Sequence, residues 1–302
     1  MSAHSSARTI RVQTVLFGTE LGQLWTLLGG LDAAARQVVE AGLAGDVQWA
    51  IGESSPGPLL GDDDVRDMHK ARGPALSSVS YEYFGANLGS AGGQNRLAEG
   101  TDAALIFVLN PDTYPSPRAL CELVKAIDRP GVAVAEARQL PLEHPKSFDL
   151  SSGDTSWASG ACILIRADVF AQLGGFDAEY FLLHCDDVDF SWRVRAAGHR
   201  VVVAPHATIF HDKRPRRDGQ WPAPDGERYH AALGRLMLAT RWDRPDVVEQ
   251  TIATIESGGV AAEQSALAEF RARRSAGRVP AVRGDATSVA EFIDGEYAVH
   301  RF

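Results

Sequence analysis

The chain has 302 residues, 45% of them hydrophobic and 23% charged, with a formal net charge of −9 and a sequence pI near 5.5. This fits one large α/β domain, or one domain with an appendage, and its acidity argues against nucleic-acid binding, which rests on phosphate neutralisation by Lys and Arg. Three cysteines without CxxC or metal-ligand spacing, no signal-peptide pattern and no apolar run near the ~18–20 residues of a membrane span point to reduced thiols and a cytoplasmic protein.

Residues 12–17 alternate weakly and meet Gly18, which predicts a first strand. Apolar residues at helical spacing (Leu24, Leu27, Leu28, Leu31) predict a helix over 21–42. A second strand over 47–51 runs into Gly52 and Glu53, and the three aspartates 62–64 read as a solvated turn. Residues 79–84 are aromatic and strand-like and lead to Asn87 and a glycine-rich stretch ending at Asn95. That stretch lacks the G-x-G-x-x-G order of a dinucleotide fingerprint. After a helix-compatible segment to Gly100 comes the apolar run 104–109, then Asn110-Pro111-Asp112, a helix over 118–127 and a strand over 132–135. Alternating strands and helices imply βαβ units and a largely parallel sheet. Ligands bind such sheets beyond the carboxyl ends of the strands, where Gly18, Glu53, Asn87 and Asp112 all fall.

Further on, residues 157–166 and 200–203 read as strands flanking a helix whose start is rich in acid. Residues 229–242 and 246–276 read as amphipathic helices, and the final residues show no clear pattern. We divide the chain into a catalytic domain, 1–225, and a C-terminal helical extension, 226–302.

Four features carry candidate chemistry. Asp112, just past a buried strand, is placed to reach a hard cation such as Mg²⁺ or Mn²⁺; the alternative is a turn or helix cap. Asp186, Asp187 and Asp189 follow an apolar run. Acids there complement the helix dipole, while one held near an acceptor hydroxyl is a general base. His211 precedes Lys213, Arg214, Arg216 and Arg217, a candidate diphosphate clamp or a solvated charge run. Ser159-Gly160-Ala161 would let a ligand approach the backbone, or make a plain turn.

Taken in order, "GESSP", "NLGSAGGQN", "FVLNPDT" and "ASGACILIRADVFAQLGGFDAEYFLLHCDDVDFSWRVRAAGHRVVVAPHATIFH" resemble the inverting family 2 glycosyltransferases of the GT-A fold, the rhamnosyltransferase-like members above all. The resemblance implies a mixed, mostly parallel sheet flanked by helices, a nucleotide-diphosphate sugar donor, Mg²⁺ or Mn²⁺, and a glycan or glycolipid acceptor in cell-envelope synthesis. By position, Asp112 and His211 match metal-site residues and Asp187 the base. Glu53 falls where an acid contacts the nucleotide base. Gly18, Asn87, Asn95, Asn110, Arg214 and Arg217 complete the donor set, and Trp157, Ser159, Gly160 and Asp186 border the acceptor. Asn110 stands where a strict DxD has its first acid. A retaining transferase and a binding protein without turnover are the alternatives. For the C-terminal helices a homodimer contact, a cover on the acceptor site and peripheral contact at the inner membrane face all stay open.

Overall fold

The computed structural model describes residues 8–142, 146–213, 223–283 and 288–298. Its first half alternates as the sequence predicts: β1 (Thr9–Leu16), α1 (Leu21–Glu40), β2 (Asp46–Glu53), α2 (Asp62–Ala71), β3 (Leu76–Tyr83), α3 (Gly89–Ala98) and β4 (Leu105–Leu109). There follow β5 (Thr113–Pro115), α4 (Ala119–Ile127), β6 (Val132–Leu140), β7 (Cys162–Arg166), α5 (Ala167–Gln172), α6 (Asp186–Ala196) and β8 (Arg200–His211). Three helices, α7 (Asp225–Arg241), α8 (Pro245–Gly258) and α9 (Ala261–Ser275), lie C-terminal to the sheet.

The strands form one eight-stranded sheet in the order β3-β2-β1-β4-β7-β6-β8-β5. It is mixed: β1 pairs in parallel with β2 and β4, β2 with β3 and β6 with β8, while β7 runs antiparallel to both neighbours and β5 antiparallel to β8. Two reversals across β7 return β6 and β8 to the direction of β4. The carboxyl ends of β1, β2, β3, β4, β6 and β8 therefore share one edge. Apolar side chains from α1, α2 and α4 cover one face of the sheet, and those of α3, α5 and α6 the other.

Several elements differ from the sequence expectation. Asp62–Asp64 open α2 rather than a turn, because three acids in a first turn complement the helix dipole, as do His69 and Lys70 in the last. The strand expected over 157–166 begins only at Cys162, since residues 158–161 direct their backbone groups elsewhere. The long helix expected over 246–276 breaks at Gly258-Gly259 into α8 and α9. Near the carboxyl end, Phe292 packs edge-on against Trp192 at 5.2 Å and Tyr297 against Trp157 at 5.8 Å. That packing was invisible as a pattern.

A third apolar cluster joins α6 to α7, α8 and α9 through Val188, Trp192, Met237, Trp242 and Phe270. Asp189 lies at its heart, fully buried. Its Oδ2 accepts from Arg193 Nε at 2.7 Å and Arg241 Nη1 at 3.0 Å, and its Oδ1 from Trp242 Nε1 at 3.1 Å. Arg241 also pairs with Asp177. Three donors on one carboxylate are what such burial demands.

The start of α3 abuts the chain that leads into α6. Gly89 has φ +65°, a Cβ there would lie 2.1 Å from the Leu182 carbonyl oxygen, and Ser90 N donates to that oxygen at 2.9 Å. Gly89→Ala is expected to destabilise the protein by more than about 2 kcal/mol, through left-handed strain and the clash together. Urea unfolding checks this; an unchanged midpoint would show that the contact yields.

Candidate active site

The sheet edge brings together Gly18, Glu53, Asn87, Asp112 and His211 from the ends of five strands or the turns after them. The β1 and β2 ends are stitched: Ser54 N donates to Leu16 O at 2.9 Å and Gly18 N to Ser55 Oγ at 2.8 Å. Glu53 is fully buried, and its Oε1 accepts from Ser55 N at 2.9 Å. Its Oε2 and the Ser54 hydroxyl are buried with no protein partner. Orphaned buried acceptors are costly and mark a place where a ligand donor completes the bonding. Asn87 is exposed, its Oδ1 accepting from Gly89 N at 2.9 Å. Asn95 instead commits both halves of its amide to Phe176, accepting from its N–H at 2.9 Å and donating to its carbonyl at 2.7 Å. That bond fastens α3 to the loop before α6.

After β4 the chain turns sharply. Thr113 donates from N (3.1 Å) and Oγ1 (2.6 Å) to the carbonyl of Asn110, so Asn110 shapes the turn that presents Asp112. Thr113 pairs with His211 across β5 and β8, which sets Asp112 Oδ2 3.3 Å from His211 Nε2. On its other side His211 Nδ1 lies 2.8 Å from Gln139 Oε1. An amide oxygen only accepts, so Nδ1–H is the donor there, and Nε2 is the ring atom turned toward the carboxylate. Burial acts to raise the Asp112 carboxyl, but the His211 ring, with Lys213 further off, holds it below its ordinary value.

A carboxylate oxygen and an imidazole nitrogen at this separation suit two adjacent ligands of one hard cation, since neighbouring ligands on an octahedral ion at ~2.1 Å lie about 3 Å apart. Among the described residues no group of three or more His, Cys, Asp or Glu converges on a metal position. The pair would need ligand oxygens to fill the shell. Of the basic run, Lys213 is described, its N–H donating to His211 O at 2.6 Å; Arg214, Arg216 and Arg217 lie outside the described residues.

The turn after β4 connects directly to the acidic helix. Asn110 N donates to Ala161 O at 3.0 Å, and one residue earlier Gly160 N donates to Asp187 Oδ2 at 2.8 Å. The other oxygen, Oδ1, accepts from Val188 N at 2.8 Å, at the N-terminus of α6. Ser191 locks the arrangement: its hydroxyl donates to Asp187 O at 2.7 Å and accepts from Ala158 N at 3.0 Å. Asp187 is thus oriented by backbone N–H groups from two elements. These bonds fix the direction of the carboxylate at the N-terminus of α6.

Asp186 has the opposite environment. It is buried, and burial first, then the carboxylates of Asp187 and Asp189, push its carboxyl well above the ordinary value. Burial and the neighbouring carboxylates thus favour the protonated form of Asp186. The turn before them is strained: His184 and Cys185 take φ +66° and +65°, and α7 comes close enough that a Cβ on Gly234 would sit 3.2 Å from Cys185 Sγ.

Of the acceptor-side residues, Ser159 is buried, and Trp157 donates from Nε1 to Tyr297 O at 3.0 Å. Beneath them lies a pair the sequence reading passed over. Glu136, on β6, forms a buried ion pair with Lys146, whose Nζ donates to Trp157 O at 2.7 Å and sits 4.2 Å over the Trp157 ring. An acid inside the otherwise apolar start of β6, Val-Ala-Val-Ala-Glu-Ala, was the available signal.

Residues 143–221 match the family model described as glycosyltransferase like family 2. The N-acetylglucosaminyl-diphospho-decaprenol L-rhamnosyltransferase of Mycobacterium tuberculosis is 32% identical over 148 residues, 45% of this chain and 44% of that protein. Rhamnosyltransferase WbbL of Escherichia coli K12 is 35% identical over 106 residues, 33% of this chain and 39% of that protein. The chain thus spans under half the length of these curated relatives. The mannosyltransferase PcManGT of Pyrobaculum calidifontis, solved with GDP-Man and Mn²⁺, superposes with a TM-score of 0.57 at 15% identity, covering 89% of this chain and 81% of that one. GalNAc-T7, solved with UDP, GalNAc and Mn²⁺, gives 0.61 at 13% identity, covering 90% and 55%. At such identities the superpositions speak for the fold alone, which is that of the GT-A glycosyltransferases. The resemblance to family 2 and its rhamnosyltransferase-like members is borne out.

Asp186 carries a prediction about pH. A carboxyl raised on folding stabilises the native state fully below its unfolded value, and that contribution is lost as pH rises through the folded one. Asp186→Asn keeps the neutral shape. Its urea midpoint should match the wild type near about pH 4 and exceed it near about pH 8. A difference that stays constant across that range would mean Asp186 is charged in the native state.

Proposed function

We propose that this chain is an inverting glycosyltransferase that moves a sugar from a nucleotide-diphosphate donor to a hydroxyl of a glycan or glycolipid, in cell-envelope polysaccharide synthesis at the cytoplasmic face of the membrane. The observation that carries the reading is Asp187: a carboxylate oriented by Gly160 N–H at a helix N-terminus, beside Asp186, whose carboxyl burial pushes well above its ordinary value, and linked through residues 160–161 to the turn bearing Asp112. The named activities of the curated relatives and the ligands of the superposed structures support it. We assign catalysis to residues 1–225 and a supporting role to the helical extension, 226–302.

In this reading Asp187 accepts the proton of the acceptor hydroxyl as its oxygen bonds to the anomeric carbon. The bond from that carbon to the diphosphate breaks on the opposite face, the electron pair leaving with the diphosphate oxygen, so the anomeric centre inverts. One base is enough because the diphosphate departs without a proton. Asp112 and His211 would hold Mg²⁺ or Mn²⁺, whose chemistry there is charge neutralisation on the diphosphate. Gln139 fixes the ring that presents Nε2, and Asn110 fixes the turn that presents Asp112.

At the nucleotide end, the free Glu53 Oε2 and Ser54 hydroxyl suit the imide edge of a pyrimidine, which offers one N–H between two carbonyl oxygens. A dTDP-rhamnose-like or UDP-sugar donor fits that description. Gly18 leaves the approach to this edge open, since a side chain there would meet nothing.

Two measurements test the reading. Asp187→Asn should lower kcat by about 10²–10⁴-fold with donor affinity retained, and NMR should show the product anomer inverted relative to the donor. A retained configuration would sink the base assignment and favour a retaining transferase. In a thermal-shift panel of dTDP-, UDP- and GDP-sugars with Mn²⁺, one pyrimidine donor should raise the melting temperature, and Asp112→Asn should abolish the Mn²⁺-dependent part. Stabilisation without any turnover by the wild type would mark a binding protein instead.

A further inference from the structure

The Glu136–Lys146 pair is the buried titratable group to which the proposed reaction gives no task. Both side chains are nearly inaccessible, at 4% and 6% exposure, and the pair lies between β6 and the segment that carries Gly160. Lys146 is gripped three ways: by the Glu136 carboxylate, by Trp157 O at 2.7 Å and by the face of the Trp157 ring at 4.2 Å. The Glu136 carboxylate lies near the backbone N–H of Ser159 and within electrostatic range of Asp187. One ion pair thus fixes Trp157 by its carbonyl and ring, three residues before Gly160, whose N–H orients the base.

A buried ion pair costs desolvation that apolar side chains of the same volume would not. Packing alone does not explain it in a layer otherwise built from Val, Ala and Ile. Burial pushes the Glu136 carboxyl up and the Lys146 ammonium opposes it. Other titratable groups around this end of α6 are Asp186 and Asp189 on the helix, His184 in the turn before it, and Glu227 of α7, 4.0 Å from His184. Arg193 and Arg241 are also buried there, both bonded to Asp189; apart from these and His184 the groups are acids. Lys146 is the buried cation that the β6 side sets against them.

We propose that Lys146 and Glu136 are positioning residues for the base: together they hold residues 157–160 so that Gly160 N–H meets Asp187, and the charge of Lys146 keeps Asp187 ionised among neighbouring acids. The proposal rests on the reading of Asp187 as general base.

The test is the pH profile of kcat/KM for the acceptor in Lys146→Met, Glu136→Gln and the double variant, with circular dichroism melting as the folding control. Lys146→Met removes the cation, so the acid limb should move up by more than about half a pH unit. Glu136→Gln keeps the side-chain shape and leaves the cation unopposed, so its limb should move down. The double variant should fall between them, with donor KM unchanged in all three. If Lys146→Met does not fold, the downward shift in Glu136→Gln still decides, with Lys146→Arg expected to keep the wild-type limb. Profiles that superpose on the wild type, or single variants that shift in the same direction, overturn the proposal. Asp187→Asn separates the two readings: if it is inactive and these profiles do not move, the positioning role fails alone. If Asp187→Asn stays active, the base assignment fails and the positioning role with it.

Discussion

The arrangement depends on how residues 157–161 distribute their backbone hydrogen bonds. Had this segment continued β7, its N–H and C=O groups would have been consumed by the sheet ladder. Instead Ala158 N goes to Ser191, Gly160 N to Asp187 and Ala161 O to Asn110 N. One irregular strap thereby fixes the turn that presents Asp112 and the carboxylate that opens α6. Small residues at 158–161 let the two elements approach so closely; a Cβ on Gly160 would already lie 3.4 Å from Asp187 Cβ. Regular structure supplies the platform, and a local departure from it joins the two halves of the site.

The C-terminal helices belong to the same mechanical unit. Asp189 reaches back from α6 to Arg241 and Trp242, and Arg193 extends the network to the carbonyls of Leu173 and Gly175. Asn95 then fastens the adjoining Phe176 to α3. A continuous path of buried polar contacts therefore runs from the helix beside the candidate donor site, through the acidic helix, to α7. The left-handed residues His184 and Cys185 sit on that path under Gly234. Strain of this kind persists where surrounding structure over-determines it.

Much of the fold was legible because its signals are local. Apolar runs ending in Gly, Glu-Ser or Asn-Pro-Asp gave β1, β2 and β4, and helical spacing of Leu24, Leu27, Leu28 and Leu31 gave α1. Where reading failed, partners distant in sequence had decided. No pattern within 157–161 says that Gly160 will bond Asp187, 27 residues on. Nothing near Tyr297 says that it will cover Trp157, 140 residues earlier. The candidate acids could be singled out from their density after an apolar run. Their division into a buried Asp186 and an oriented Asp187 needed burial and hydrogen bonds, which spacing does not encode.

Strand β8 also makes the site sensitive to length. Its pairing with β6 jumps from Ala204 opposite Ala137 to Thr208 opposite Arg138, leaving residues 205–207 looped out, where Pro205 has no N–H to offer the ladder. Before the loop Val202 and Ala204 face the α1/α4 core; after it Ile209 does. Three is an odd number, so the loop exchanges the faces of everything downstream. His211 points toward Asp112, and Phe210 outward, by parity. Losing or gaining one residue there would conserve every side chain of the site and still turn the imidazole to the wrong side of the sheet. A segment that touches no candidate ligand is thus held to an exact count.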